Sequence, residues 1–137
     1  MAKVSSISKK PYKGWYKAIS EDQSDSVILK SADSKKFQKA FESLIAGTYG
    51  PAYKGFLALS EKGSSISQYF LGQMCLEGMG VLQDFSQAHM WFNISASRGH
   101  KKAKAHLYRL TKKMSPDQIA EAQKLAREWM AMDHKEY

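Results

Sequence analysis

A self-similarity at a fixed spacing constrains the fold of this chain more than any other feature of its sequence. Aromatic and small residues recur 36 positions apart, with Tyr49, Ala52, Phe56, Ser60 and Gly63 matching Phe85, Ala88, Phe92, Ala96 and Gly99. A constant period of about 20 to 50 residues indicates stacked supersecondary units, because a single unit cannot bury its apolar face alone. The sequence therefore predicts a repeat architecture.

The residue spacing between 63 and 99 predicts two antiparallel helices. In the first helix, apolar and small residues recur at three- and four-residue steps and share one face: Ser67, Leu71, Met74 and Cys75. Gly72 lies inside this helix, where glycine costs about 0.5 to 1 kcal/mol relative to alanine. We therefore expect a large side chain of the second helix to approach it closely, and Trp91 is the best candidate.

Glycines and a capping pattern mark the ends of these helices. Gly78 and Gly80 end the first helix and permit left-handed backbone conformations. Asp84, followed three residues later by Gln87, is a variant of the capping box and begins the second helix. The apolar stripe of the second helix then comprises Phe85, Ala88, Trp91, Phe92, Ser95 and Ala96, and Gly99 ends it.

Residues 67–92 resemble a Sel-one-like repeat, a relative of the tetratricopeptide repeat. The signature consists of a leucine-glycine pair, a Gly-x-Gly-Val turn, an aspartate-aromatic start, an Ala-x-x-Trp-aromatic step and a final glycine: Leu71, Gly72, Gly78, Gly80, Val81, Asp84, Ala88, Trp91, Phe92 and Gly99. Ser67 and Ser95 replace alanines of the pattern, and Cys75 replaces its usual tyrosine. The resemblance covers roughly residues 37–132. It implies an α/α solenoid used for protein-protein contacts, usually without catalytic residues, in a family with many members exported by bacteria.

The remainder of the chain extends this repeat in both directions. We expect an all-α solenoid of short antiparallel helix pairs, with a degenerate repeat at 34–63, the full repeat at 64–99, and a partial repeat with a C-terminal capping helix at 100–132, followed by a short tail. Ser115, Pro116 and Gln118 form a serine cap with proline at the first helical position, which begins the capping helix. Residues 1–33 lack a sustained period, which predicts an irregular or disordered basic segment.

Positive charge is concentrated in one part of the chain. The net charge is +8, and residues 98–113 contain seven cations and no acid: Arg98, Lys101, Lys102, Lys104, Arg109, Lys112 and Lys113. Such a segment can meet phosphates, or it can be a solvated face that steers an acidic protein partner. We favour the solvated face because no nucleic-acid-binding fold is recognisable.

The N-terminal tract 9–17 interleaves lysines with aromatic residues. This composition can bind nucleic acid or an anionic membrane surface. We favour a solubilising tail whose aromatic residues fold back onto the first helix, because the tract lacks the periodicity of an interfacial helix.

No pattern in the sequence indicates catalysis, a metal site or a cofactor. Cys75 falls on the predicted core face, and the histidines lack the spacing of metal ligands: His89, His100, His106 and His134. One cysteine cannot form an internal disulfide. No apolar run is long enough to span a membrane, and residues 1–13 lack the apolar region of a signal peptide. We expect a cytoplasmic protein as given, or a periplasmic or secreted one if a leader was removed.

These observations predict a non-enzymatic adaptor that binds a protein or peptide, with an acidic partner among the candidates. The binding surface is the groove lined by the first helices of the repeats, where residues outside the packing faces are Tyr69, Gln73 and Leu76, with Arg109 and Lys112 one period later. Because the stack is short, we expect its ends to be sealed by the last helix, the N-terminal segment or another copy of the chain. The alternative function is an anion-binding module that uses residues 98–113 and the tract 9–17.

Overall fold

Six α-helices make up most of residues 31–132, the part of the chain that the computed structural model describes. They are α1 (Ser31–Ala46), α2 (Tyr49–Glu61), α3 (Ser65–Glu77), α4 (Phe85–Ser97), α5 (Lys101–Thr111) and α6 (Pro116–Ala131). No strand occurs between residues 31 and 132. The predicted all-α helical repeat solenoid is confirmed. Most of the predicted irregular segment 1–33 lies outside the described residues, and its last three residues already belong to α1.

The helices pack in the order of a repeat stack. α1 packs on α2, α2 on α3, and α3 on α4, while α4 also contacts α5 and α6. The central helix α3 is buried along most of its length, from Ser65 to Cys75. Aromatic rings join the first two pairs, with the ring centroids of Phe56 and Phe70 lying 5.3 Å apart. None of the helices within residues 31–132 is long and apolar enough to cross a membrane.

The predicted helix ends are present. The backbone of Gly78 is left-handed at the end of α3, with φ of +72°. Gly80 also has a positive φ, and a Cβ atom there would lie 2.5 Å from the Cβ of Tyr49, so the turn after α3 approaches the first turn of α2 closely. Asp84 accepts a hydrogen bond from the amide of Gln87, as the capping pattern predicts.

Two further caps begin the last two helices. Ser115 and Gln118 form the complete capping box predicted at the start of α6. At the start of α5, Nδ1 of His100 accepts a hydrogen bond from the amide of Ala103 at 3.1 Å. The sequence analysis did not identify this cap, because histidine is not one of the residues preferred at the N-cap of a helix.

Gly72 allows α4 to approach α3 closely, but the approaching residue is not the one predicted. A Cβ atom at Gly72 would lie 2.6 Å from Cε1 of Phe92. The expectation that Trp91 fills this space is therefore wrong. The ring of Trp91 instead meets that of Trp129 on α6 edge-on, with centroids 5.4 Å apart. Successive residues of a helix point about 100° apart, so a difference of one position directs a side chain to another neighbour.

The last two helices do not repeat the close pairing of α3 and α4. One period after Gly72 the chain has Tyr108, whose side chain is 65% exposed. A tyrosine leaves no room for the close helix approach that glycine permits. α6 accordingly packs mainly on α4 rather than on α5. α6 thus packs against the second repeat, with Ala122 and Ala126 buried.

Candidate partner-binding surface

A chain of polar side chains joins α3 to α5; we call Tyr69, Gln73 and His106 the polar chain. Nε2 of Gln73 donates a hydrogen bond to the hydroxyl oxygen of Tyr69 at 3.1 Å. The same amide nitrogen lies 3.4 Å from Nε2 of His106 on α5. Nδ1 of His106 lies 2.9 Å from the carbonyl oxygen of Lys102. The polar chain therefore runs from the buried Tyr69 and Gln73 on α3 to the partly buried His106 on α5.

The contacts of His106 determine which ring nitrogen carries its proton. A carbonyl oxygen can only accept, so Nδ1 donates to Lys102 and Nε2 accepts from Gln73. Nη2 of Arg109 lies 3.2 Å from the same Nδ1, and this contact brings two donors together. Burial lowers the pKa of His106, with the charges of Arg109 and Lys102 acting in the same direction against the hydrogen bond to the Lys102 carbonyl. The imidazole is therefore held neutral near pH 7.

Three of the five residues expected to contact a partner meet at the polar chain. Arg109 is exposed, whereas Tyr69 is 1% exposed and Gln73 is 4% exposed. The expectation that Tyr69 and Gln73 are not needed for packing is therefore wrong. The ring of Tyr69 stacks on that of His100, with centroids 4.8 Å apart, because α5 and its first turn lie against this side of α3. Burial raises the pKa of Tyr69 to about 12.

The other two expected residues are partly or fully accessible. Leu76 is partly buried at the end of α3, packed against the core. Lys112 is exposed directly after α5, with its Nζ atom 4.4 Å from the ring centroid of Tyr108. The sequence analysis missed Tyr108 as a surface residue. The signal that identifies it is the repeat alignment itself, in which Tyr108 stands at the position of Gly72.

A row of exposed residues, three of them lysines, runs along one side of α5 and the residue that follows it. We call Lys101, Lys104, Tyr108 and Lys112 the outer ridge, because they are exposed and spaced by three or four residues. Ala103 and Leu110 on the opposite side of α5 are buried. Within residues 31–132 no salt bridge joins a lysine of the outer ridge to a carboxylate, and the described ion pair is that of Lys62 with Asp33 at 2.9 Å. The outer ridge is thus a cationic surface that these residues leave unneutralised.

The buried thiol of Cys75 is unsuited to nucleophilic chemistry. Cys75 is 3% exposed, and burial raises its pKa to about 12, with the charge of Asp84 acting in the same direction. A thiolate is the reactive form of cysteine, so this thiol is inert at neutral pH. Within residues 31–132, no group of three or more histidine, cysteine, aspartate or glutamate residues is arranged to hold a metal ion.

A second buried histidine links α4 to α5. Nε2 of His89 lies 3.1 Å from Oγ1 of Thr111, whose hydroxyl donates to the carbonyl oxygen of Leu107. The hydroxyl oxygen therefore accepts from His89, which places the proton on Nε2. Burial lowers the pKa of His89. Its role in this structure is to join two helices of the stack.

Residues 65–100 match the family model of the Sel1 repeat. This range comprises α3, α4 and the turns that follow them. It contains the stretch 67–92 on which the resemblance to Sel-one-like repeats rests, and it confirms that resemblance. Comparison with curated proteins and with solved structures found no match. Sel1 repeats generally mediate protein-protein interactions and are generally non-enzymatic.

Proposed function

We propose that this chain, which contains a Sel1 repeat at residues 65–100, is a non-enzymatic adaptor that binds a protein or peptide along its first-type helices α1, α3 and α5. The observation that supports the proposal is the position of Arg109, which is exposed while its Nη2 atom lies 3.2 Å from Nδ1 of the partly buried His106 at the end of the polar chain. Because Nδ1 of His106 is itself a donor, this contact gives the guanidinium no acceptor, and its N–H groups can form paired hydrogen bonds with a partner carboxylate.

The buried residues of the polar chain act in this proposal as supports. Tyr69 and Gln73 are packed between α3 and α5, so they position the neighbouring helix surface and do not contact the partner. Arg109 and Lys112 supply the accessible groups, and Leu76 supplies a partly buried apolar edge. Interfaces generally concentrate their binding energy in a few such anchors, with arginine among the most common.

The domain organisation forms part of the same proposal. We propose that residues 34–137 form one repeat domain, with the degenerate repeat 34–63, the full repeat 64–99 and the partial repeat with its capping helix at 100–132. The basic segment 1–33 precedes this domain in the sequence, and its last three residues begin α1.

An anion-binding module remains the second candidate, because the outer ridge is cationic. A nucleic acid or an anionic membrane would bind it with an affinity that falls steeply as the salt concentration rises. The two candidates therefore differ in the salt dependence of binding and in the class of molecule captured.

Site-specific crosslinking tests the proposal. A photoreactive amino acid is placed at position 109 of the full chain, with position 127 on α6 as the matched control, since Arg109 and Arg127 are both exposed. We expect a protein crosslinked at position 109 in native cell extract and not at 127. The purified partner should then bind the full chain, and Arg109→Ala should weaken binding by at least about tenfold, as for an interface anchor.

Two outcomes would overturn this proposal. Equal crosslinking at both positions would show that the surface around Arg109 is not selective. Capture of nucleic acid at position 109, abolished by nuclease and by moderate salt, would favour the anion-binding module.

A further inference from the structure

The outer side of α5 corresponds to the side of α3 that α4 covers. In the second repeat, the carbonyl oxygen of Ser65 accepts a hydrogen bond from the hydroxyl of Ser95 at 2.7 Å, and Gly72 receives the ring of Phe92. One period later the same positions are Lys101 and Tyr108, both of them exposed.

No helix within residues 31–132 covers the outer side of α5 in the way that α4 covers the corresponding side of α3. α6, the next helix along the chain, packs mainly on α4. Tyr108 remains 65% exposed as a result, although its counterpart in the second repeat is buried. The outer ridge is therefore a helix surface whose counterpart in the preceding repeat is covered by a helix.

The chemistry of the outer ridge selects an acidic occupant. Lys101, Lys104 and Lys112 have no carboxylate partner within residues 31–132, and Lys112 lies over the ring of Tyr108. Ala105, directly after Lys104, is also exposed and adds a small apolar group beside Tyr108 on this side of α5. The three lysines stand three and eight residues apart, which is about 4.5 and 12 Å along the helix axis. Carboxylates repeated at the same steps on a second helix would have a matching spacing.

We propose that the outer ridge binds a carboxylate-rich amphipathic helix of a partner protein, laid along the side of α5 that corresponds to the side of α3 covered by α4, with the Tyr108 ring between the two helices where Gly72 lets α4 approach closely. This inference rests on the proposed function, because it names the chemistry of the protein partner. The occupant's glutamates or aspartates pair with the three lysines, and its apolar positions cover Ala105 and the exposed face of Tyr108. The helix-to-helix correspondence with α3 and α4 favours a helical protein over a nucleic acid.

A direct binding measurement tests the proposal with the full chain. The probe is a fluorescent alanine-based peptide of about 20 residues, long enough for an isolated helix, with glutamates at three- and four-residue steps on one face. A control peptide has the same glutamate content but a central proline that breaks the helix. We expect the full chain, at about 0.1 M salt where the Debye length is about 10 Å, to bind the helical peptide at least about tenfold more tightly than the proline peptide, since ordering a broken helix opposes binding.

Charge reversal locates the binding surface. The triple variant Lys101→Glu, Lys104→Glu and Lys112→Glu should weaken binding of the helical peptide at least about tenfold, because like charges then face each other. The matched control reverses Lys35, Lys36 and Lys39 on α1, which are also exposed and change the net charge equally. This control should change affinity less than about threefold, since charges beyond a Debye length are screened. Circular dichroism verifies that both triple variants are folded.

A smaller change keeps the test decisive if the triple variant does not fold. Tyr108→Ala leaves every charge in place, and we expect it to weaken peptide binding about threefold or more by removing the exposed ring from the contact. Lys104→Glu alone should weaken binding by a similar factor.

Three results would overturn the inference. They are equal affinity for the helical and the proline peptides, an equal loss of affinity on reversing the α1 lysines, and tighter binding of a single-stranded DNA oligonucleotide of the same charge at the outer ridge. The test is separable from that of the proposed function. A partner crosslinked at position 109 that still binds the charge-reversed ridge would remove this inference and leave the adaptor proposal standing.

Discussion

The ring of Phe92 occupies the space that any side chain at Gly72 would need, with Cε1 only 2.6 Å from the position of a Cβ atom. This contact sets the distance between α3 and α4 at the centre of the Sel1 repeat. It also explains why the glycine is present inside a helix, where it lowers helix stability.

Gly72→Ala should destabilise the protein by about 1 to 3 kcal/mol through overpacking, despite a gain of up to about 1 kcal/mol in helix propensity. Urea unfolding followed by circular dichroism measures the change. Ala120→Gly at an exposed position inside α6 is the control, because it reports the difference in helix propensity between alanine and glycine without a packing contact. A Gly72→Ala protein that gains as much stability as Ala120→Gly loses would show that Phe92 moves aside without cost.

Tyr69→Ala should unfold the protein or lower its free energy of unfolding by about 3 to 5 kcal/mol, as expected for a large buried side chain. Its ring is 1% exposed, so truncation leaves a cavity between α3 and α5. Arg109→Ala, at an exposed position, should change stability by less than about 0.5 kcal/mol. Thermal melting of both variants therefore distinguishes a residue that stabilises the fold from one that is available to contact a partner. A Tyr69→Ala protein with unchanged melting would place Tyr69 outside the packed interface.

Trp129→Ala should weaken the attachment of the capping helix. The ring of Trp129 meets that of Trp91 edge-on, so its removal should cost about 2 kcal/mol in unfolding free energy and increase binding of a hydrophobic dye. Met130→Ala is the control, since Met130 is 49% exposed.

Deletion of residues 116–137 should cause aggregation, because it removes the helix that covers the apolar surface of α4. A soluble, cooperatively folding truncation would contradict the capping role of α6.

Acid should destabilise the protein through His89. Burial lowers its folded-state pKa below the usual 6.5, so the unfolded chain takes up the proton first as the pH falls. The stability contributed by the neutral ring is present above about pH 6.5 and is lost as the pH falls through the lower folded-state pKa. His89→Gln retains a donor for Thr111 but does not titrate. We therefore expect urea unfolding of this variant to depend less on pH between pH 7 and 5 than that of the unmodified chain, and an identical dependence would exclude His89 as a source of acid sensitivity.

The repeat period, the helix caps and the turn glycines could be predicted from the sequence because each depends on a few neighbouring residues. The Asp84 cap, the box of Ser115 with Gln118, and the left-handed Gly78 are determined by hydrogen bonds and backbone angles within one helical turn. The period of 36 residues also predicted the fold class, since a helix pair of that length must stack on others to bury its apolar faces.

Only the tertiary structure decided which neighbour each side chain meets. Phe92 rather than Trp91 fills the space at Gly72, because adjacent helical positions point about 100° apart and the helix rotation depends on all its contacts. The burial of Tyr69 likewise depends on α5 lying alongside α3, a placement between elements distant in sequence. The repeat alignment indicates that α5, with Tyr108 at the position of Gly72, cannot be approached as closely as α3, but only the tertiary structure shows that α6 packs on α4 instead and leaves Tyr108 exposed.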